Sequence, residues 1–366
     1  MKIAILGSRG IPNNYGGFER AAEEIGVRLI RMGHSVTVYN PDDHPFNGDI
    51  WHGIMIKRIF CRERTLGILG TFLFDFFCLR DALRGKFDII LELGSEPAAV
   101  FFWLARGHTS ALVTNIDGLG WQRSKWSKPL RWFIRYCERI AVRESQALIA
   151  DNRGIQSYCL SEYNKHSHYI PYGAVIPSGK NMKQLGVHGL IEGEYYMLVA
   201  RLESENNIGM VLDGYLASGN QRPFVVVGGL STKYAQLLLD HYRSFSNIRF
   251  VGGVYDYEEL SGLRKACEIY FHGHSVGGTN PSLLEAMASE AYIAAHDNIF
   301  NRGVLGNDAL YFKNAQDVAQ IIHDSPVYGK EFKMRNLEKV QNEFNWEDVA
   351  KQYELIFQSL ISTRVS

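Results

Sequence analysis

The chain has 366 residues, more than the ~250–300 that one hydrophobic core usually serves, so two domains are expected. Hydrophobic residues make up 46% and charged residues 21%, which excludes a disordered chain and a fibre. With 39 basic and 39 acidic residues, bulk charge does not point to nucleic acid, and five scattered cysteines fit a reducing cytosol rather than a disulfide framework or zinc site.

Residues 1–7 are too few for a signal peptide and read as a buried strand over 2–6. A helix is expected over 19–32, with Ala22, Ile25 and Leu29 on one face, then strands at 35–39, 87–91 and 111–115. The most apolar stretch, 66–79, is interrupted by Asp75 and falls short of the ~20 residues of a membrane span. A basic, aromatic helix is expected over 129–142 and a strand over 147–151. Pro171 and Gly173 then punctuate the chain. The pattern restarts with strands at 195–200, 224–228, 248–251, 269–272 and 292–295, and helices at about 232–241, 258–266 and 282–289. The tail, 345–361, places Val349, Tyr353, Ile356, Phe357 and Leu360 at helical spacing.

Alternating β and α in both halves implies an α/β protein with two Rossmann-like domains facing each other across a cleft. The expected divisions are 1–170, 171–344 and a C-terminal helix, 345–366, that crosses back to the first domain. Residues 1–170 hold 22 Lys/Arg against 17 Asp/Glu, which leaves 17 against 22 for the rest. Most of the excess lies in 123–143, where seven Lys/Arg face Glu138 alone and Trp126, Trp132, Phe133 and Tyr136 are interleaved. That segment suits an anionic lipid surface, or is a solvated face with its aromatics in the core.

The first loop has Arg9 where a dinucleotide fingerprint needs glycine. Gly16 and Gly17 precede a helix and offer amides to an anion, or simply permit the turn. Asp117 follows a strand and points into the cleft or caps a turn. Arg201, directly after a strand, suits a diphosphate clamp or a surface ion pair. Residues 271–288 read as a strand, a glycine-rich loop, and a helix capped by Asn280 or Ser282 with Glu285 expected in its first turn. The loop amides suit an oxygen-rich ligand, and Glu285 is able to accept two ribose or sugar hydroxyls. His272 and His274 are expected on opposite sides of the strand, which argues against a shared metal; no metal site is expected.

These motifs resemble the retaining nucleotide-sugar glycosyltransferases of the GT-B fold, family 4, over essentially the whole chain. The likeness rests on Tyr15-Gly16-Gly17-Phe18-Glu19, Ala200-Arg201-Leu202, Glu285-Ala286-Met287-Ala288 and Asn307-Asp308-Ala309-Leu310-Tyr311-Phe312. Gly10-Ile11-Pro12, Asn115-Ile116-Asp117-Gly118, Lys125-Trp126 and Val276-Gly277-Gly278-Thr279-Asn280-Pro281 resemble the bacterial subgroup that contains polysaccharide rhamnosyltransferases. The resemblance implies Gly16 and Gly17 under the donor diphosphate, Arg201 clamping it, and Glu285 on the ribose. It implies Asp117 near the transferred sugar, and Asn206, His274, Gly278, Thr279 and Asn280 around the donor. Asp117 and Arg201 are the implied catalytic residues. Two positions depart from the family: Gly277 stands where the first glutamate of a pair belongs, and Asn206 where a lysine belongs. The sugar contact then passes to His274, Ser275 or loop amides.

The implied activity is transfer of a sugar, rhamnose among the options, from a UDP- or dTDP-sugar to a glycan acceptor on a lipid diphosphate. The leaving phosphate itself helps to deprotonate the acceptor, and neither metal nor cofactor is needed. The implied location is cytoplasmic, at the inner face of the plasma membrane, with 123–143 as the contact. A sugar-nucleotide epimerase or phosphorylase on the same fold, and a non-catalytic assembly scaffold, are the alternatives.

Overall fold

The computed structural model describes residues 1–13, 16–61, 66–116, 118–123, 126–177, 183–324 and 329–365. Contacts divide the chain into two compact units. The first comprises Met1–Gln122, Trp126–Tyr172 and Trp346–Ser366; the second comprises Arg123–Lys125 and Gly173–Asn345.

The first unit is built on eight strands: β1 (Lys2–Leu6), β2 (Ser35–Pro41), β3 (Ile50–Trp51), β4 (Ile54–Ile59), β5 (Ile89–Leu93), β6 (Ala111–Ile116), β7 (Ala147–Ala150) and β8 (His168–Tyr169). Their order is β3-β4-β2-β1-β5-β6-β7-β8, parallel except for the β3–β4 ribbon. The central strands β5 and β6 are buried throughout and β1 at every position but Lys2, as strands covered by helices on both faces must be. β5 begins two residues later than its apolar run suggests. Phe87 is a core residue just before the strand, and the buried Glu92 disguises the strand's far end. The apolar stretch near 66–79 is part of the helix Ile68–Arg84, whose Phe74, Cys78 and Leu79 enter the first core. Among the described residues no helix is long and apolar enough to cross a membrane.

The C-terminal helix Trp346–Val365 belongs to this unit. Glu347 pairs with Arg28 at 2.9 Å, Glu354 with His34 at 2.8 Å, and the Tyr353 hydroxyl accepts from Asn115 at 3.2 Å.

The second unit has six parallel strands: β9 (Tyr196–Val199), β10 (Phe224–Val227), β11 (Ile248–Gly252), β12 (Ile269–His272), β13 (Ile293–His296) and β14 (Leu310–Phe312). Their order is β11-β10-β9-β12-β13-β14. An aromatic cluster of Tyr196, Tyr215, Phe224 and Phe271 fills the centre, with ring centroids 5.2–6.2 Å apart. The ribbon β3–β4 and the helices Arg153–Tyr163, Ile208–Ala217, Ile299–Leu305, Ala315–Asp324 and Gly329–Asn342 lie beyond the sequence expectation. All five cysteines are buried free thiols.

Candidate functional site

In a doubly wound sheet the loops diverge where strand order reverses, and the crevice they leave is the natural ligand site. In the second unit the reversal falls between β9 and β12. The loop after β9 carries Arg201 and Asn206, and the loop after β12 carries His274 and the run Gly277–Asn280. Side chains and backbone stitch the two loops together. The Asn207 amide donates to the Gly273 carbonyl at 2.8 Å, and the Ser275 hydroxyl donates to the Glu205 carbonyl at 2.7 Å. Asn298 and Asn301 each donate to the His274 carbonyl at 3.0 Å, which ties in the loop after β13.

Arg201 is exposed, and its guanidinium has no hydrogen-bond or ion-pair partner among the described residues. A cation left free at a strand end is available to an anionic ligand. Asn206 is turned back onto its own loop. It is 5% exposed, and its amide donates to the Arg201 carbonyl at 2.7 Å, so it braces the arginine's backbone.

His272 and His274 lie on the same side, against the sequence expectation. Side chains two apart along an extended chain share a face, and here the rings stack at 4.3 Å with 13° between planes. Burial pushes both imidazoles down, His274 to about 3, with the Arg201 charge adding to the effect there. His272 is 1% exposed, and neither of its ring nitrogens has a hydrogen-bond partner. Among the described residues no group of three or more His, Cys, Asp or Glu is placed to hold a metal ion.

Gly277 has φ +129°, a conformation that side chains with a Cβ rarely adopt. A glutamate at this position would strain the loop as it stands. Gly278 and Thr279 are buried. Asn280 caps the following helix, Pro281–Ala288, its side chain accepting from the Ser282 amide at 3.0 Å.

Glu285 stands in the second turn of this helix, not the first; Pro281 at the start shifts the count. One carboxylate oxygen meets Arg264 at 2.8 Å. Arg264, from the last turn of Tyr257–Ala266, is 0% exposed, with Tyr270 beneath it at 5.9 Å from guanidinium to ring centre. Burial opposes its charge, and Glu285 and Tyr270 more than restore it. Its Nε and Nη1 have no hydrogen-bond partner. Glu285, one-third exposed, therefore keeps its second oxygen for a ligand. Sequence reasoning missed Arg264, which reads as an ordinary basic residue near a helix C-terminus.

In the first unit, Gly16 precedes the helix Gly17–Arg31 and no side chain caps it. The loop before it is held from the helix: Glu19 accepts from the Arg9 amide at 2.5 Å and Glu23 from the Asn13 amide at 2.6 Å. The Gly16 amide donates to the Asn13 side chain at 3.2 Å, a bond that a ligand at this amide would have to displace. Asp117, Tyr15 and Lys125 lie outside the described residues. Of the residues expected around the donor, the second unit brings together Arg201, His274, Gly278, Thr279, Asn280 and Glu285.

Solved structures share this architecture over the full chain. Sucrose-phosphate synthase from Thermosynechococcus elongatus superposes with a TM-score of 0.81 at 17% identity, covering 99% of both chains. HepE from Anabaena, solved with UDP and glucose, gives 0.75 at 16% identity, covering 98% of this chain and 100% of its own. A trehalose 6-phosphate synthase from Burkholderia multivorans gives 0.72 at 10% identity, covering 100% and 99%. The protein has the GT-B fold. A family described as a domain of unknown function, DUF1972, matches residues 101–175. No curated protein matches the sequence.

Proposed function

We propose that the protein is a retaining glycosyltransferase that takes a UDP- or dTDP-sugar in its second unit and an acceptor in its first. The observation that carries this reading is the set at the β9/β12 reversal. It joins a free exposed guanidinium, a glycine-rich loop capped into a helix, and a carboxylate held by a buried arginine. Relatives in fold support it: HepE was solved with UDP-glucose, and a trehalose-phosphate synthase from Burkholderia xenovorans is described as UDP-forming.

In this reading Arg201 clamps the diphosphate bidentately and stabilises charge that grows as the sugar–phosphate bond breaks. The free oxygen of Glu285 accepts a ribose hydroxyl. The loop amides near Gly278 and Thr279, with His274 neutral, face the sugar. Gly16 and Gly17 supply amides to the diphosphate and Asp117 lies near the transferred sugar. The leaving phosphate takes the acceptor's proton, and side-chain cations and helix amides do the work of a metal. Our finer reading is a family 4 hexosyltransferase of the rhamnosyl type in bacterial polysaccharide synthesis, cytoplasmic, with a lipid-diphosphate-linked acceptor. Membrane contact falls to the helix Lys128–Glu144, where Trp132 is 70% and Tyr136 46% exposed, the two rings stacked at 5.8 Å.

The test is a thermal-shift screen against UDP-, dTDP- and GDP-sugars, because a ligand that binds only the folded state raises its stability. Product analysis with and without a lipid-linked acceptor follows. Stabilisation by one donor class and sugar transfer only with acceptor are expected; no stabilisation by any of the three would overturn the reading.

A further inference from the structure

Arg123 does not belong with its neighbours in sequence. It directly follows the turn Gly120–Gln122, and the chain up to Gln122 and again from Trp126 is part of the first unit, whereas Arg123 packs with the second. Charge alone groups it with the basic run 123–143. The fold separates it from that run, because the helix Lys128–Glu144 stays with the first unit.

Within the second unit its charge bears on the crevice at the β9/β12 reversal. His274, in the loop after β12, is held neutral by burial first, then by the Arg201 charge, then by that of Arg123. Such effects weaken with distance and are screened by water, so both guanidiniums stand near this one ring. Arg123 is half-buried, and its guanidinium makes no hydrogen bond or ion pair with any described residue. The same holds for Arg201. Two carboxylates of adjoining segments are held by other cations: Asp297 pairs with Arg302 and with Lys313 at 3.5 Å, and Glu285 with Arg264 at 2.8 Å.

Two unpaired like charges beside a buried neutral ring repel each other, and a partly buried charge without a partner costs free energy. An anion with two charged ends relieves both costs. A carboxylate brings a single charge. A diphosphate brings at least one on each phosphorus, so that each guanidinium fork has a phosphate of its own. Asn206, uncharged and turned onto its own loop, cannot share that load.

We propose that Arg123 is the second cation of the donor site, holding one phosphate of the diphosphate while Arg201 holds the other. The proposal deepens the glycosyltransferase reading, and rests on it for calling the anion a sugar donor. As the acceptor oxygen bonds to the sugar carbon, the electron pair of the broken sugar–phosphate bond goes to the phosphate oxygen. The acceptor's proton passes to that leaving phosphate, and the second fork stabilises the charge that develops on the way.

The test is calorimetry on the whole protein with UDP, dTDP and inorganic pyrophosphate, with uridine observed by saturation-transfer NMR. Arg123→Ala should weaken the nucleoside diphosphate that binds by about 10–100-fold, the loss of one charge-assisted contact, and weaken pyrophosphate in similar proportion. Arg123→Lys, which keeps the charge without the fork, should recover part of the loss. Uridine carries no phosphate and should bind Arg123→Ala as it binds wild type. Arg123 has no partner to lose, so circular dichroism and the melting temperature without ligand should not change. Pyrophosphate binding that depends on Arg123, without any binding of UDP or dTDP, supports the contact and counts against the nucleotide-sugar reading. Nucleoside diphosphate binding as tight in Arg123→Ala as in wild type overturns the proposal and leaves that reading standing. An equal loss for uridine also overturns it, because the loss then does not lie at the phosphates. Binding of none of the three anions to wild type overturns both.

Discussion

Glu285 and Arg264 form a pair whose two halves are unequal, and the inequality is measurable. Removing Glu285 strands a guanidinium that is 0% exposed, whereas removing Arg264 leaves a carboxylate that is one-third exposed and can turn to water. Breaking a buried pair by deleting one partner costs about 3–5 kcal/mol, and the exposure of Glu285 argues for the lower end, about 3. Arg264→Met keeps most of the volume and strands nothing, so about 1 kcal/mol is expected. In Arg264→Met/Glu285→Ala the stranded charge is gone, and the cost should return to near that of Arg264→Met alone. The coupling between the sites is then about 3 kcal/mol, far outside additivity. For a unit of this size, Glu285→Ala should lower the melting temperature by about 6–12 °C. The assay is unfolding followed by far-UV circular dichroism. Tryptophan emission serves as the internal control, since all six tryptophans belong to the first unit. If Glu285→Ala costs no more than Arg264→Met, or the double variant costs their sum, the stranded-charge reasoning is wrong. The result also governs how Glu285 is tested for function: loss of nucleotide binding in Glu285→Ala has to be compared with Glu285→Gln at matched folded fraction.

Arg201→Lys should weaken UDP binding by about 10–100-fold, the loss of one charge-assisted pair worth about 1.5–3 kcal/mol; an unchanged Kd by calorimetry removes Arg201 from the clamp. UDP binding and sugar transfer should survive EDTA, because Arg201 and helix amides carry the charge work; a need for added Mg²⁺ or Mn²⁺ would show that reading to be mistaken. His272 and His274 are held neutral in the fold and take up protons on unfolding. Stability should therefore fall as pH drops below about 6.5, by about 1.4 kcal/mol per pH unit for each. His272→Phe keeps the stack and should remove one histidine's share of that slope between pH 6.5 and 5; an unaltered slope refutes the assignment. Trp132→Ala/Arg139→Glu, at two exposed positions, should release the protein from anionic liposomes without altering its circular dichroism, and retention on the vesicles would count against the membrane contact.

What was legible in the sequence follows from periodicity and from strand ends. The run Phe224–Val227 is apolar at every position because both faces of its sheet are covered, and it reads as a strand without help. Arg201 is legible because a charged residue directly after such a run has left the sheet. The Lys128–Glu144 helix was legible as a helix, but not the fate of its rings. Phe133 packs against the core, Trp121 lies under Arg135 at 4.9 Å, and only Trp132 and Tyr136 are left in the open. Spacing along one helix does not say which neighbours arrive to cover it. Arg135 itself is taken by Glu162 at 2.5 Å, from a helix the sequence reading did not assign, so it is a poor position for testing lipid contact.

The groups that escaped the sequence reading are those whose meaning depends on burial. Glu92 reads as a polar residue that should end a strand, and Arg264 as a basic residue suited to a helix C-terminus. In the fold each is shut away from water beneath a reversal of strand order: Glu92 between β1 and β5, and Arg264 under the helix that follows β12. His272, within β12 and unpartnered at both nitrogens, repeats the pattern. A core residue of the same shape and no charge would serve stability better at each position. The cost falls at the two places where parallel sheets open a crevice, and it falls on side chains able to donate, accept or hold another side chain in place. That coincidence is independent of any sequence likeness, and it is the physical reason to look for ligands at both crevices, not at the second alone.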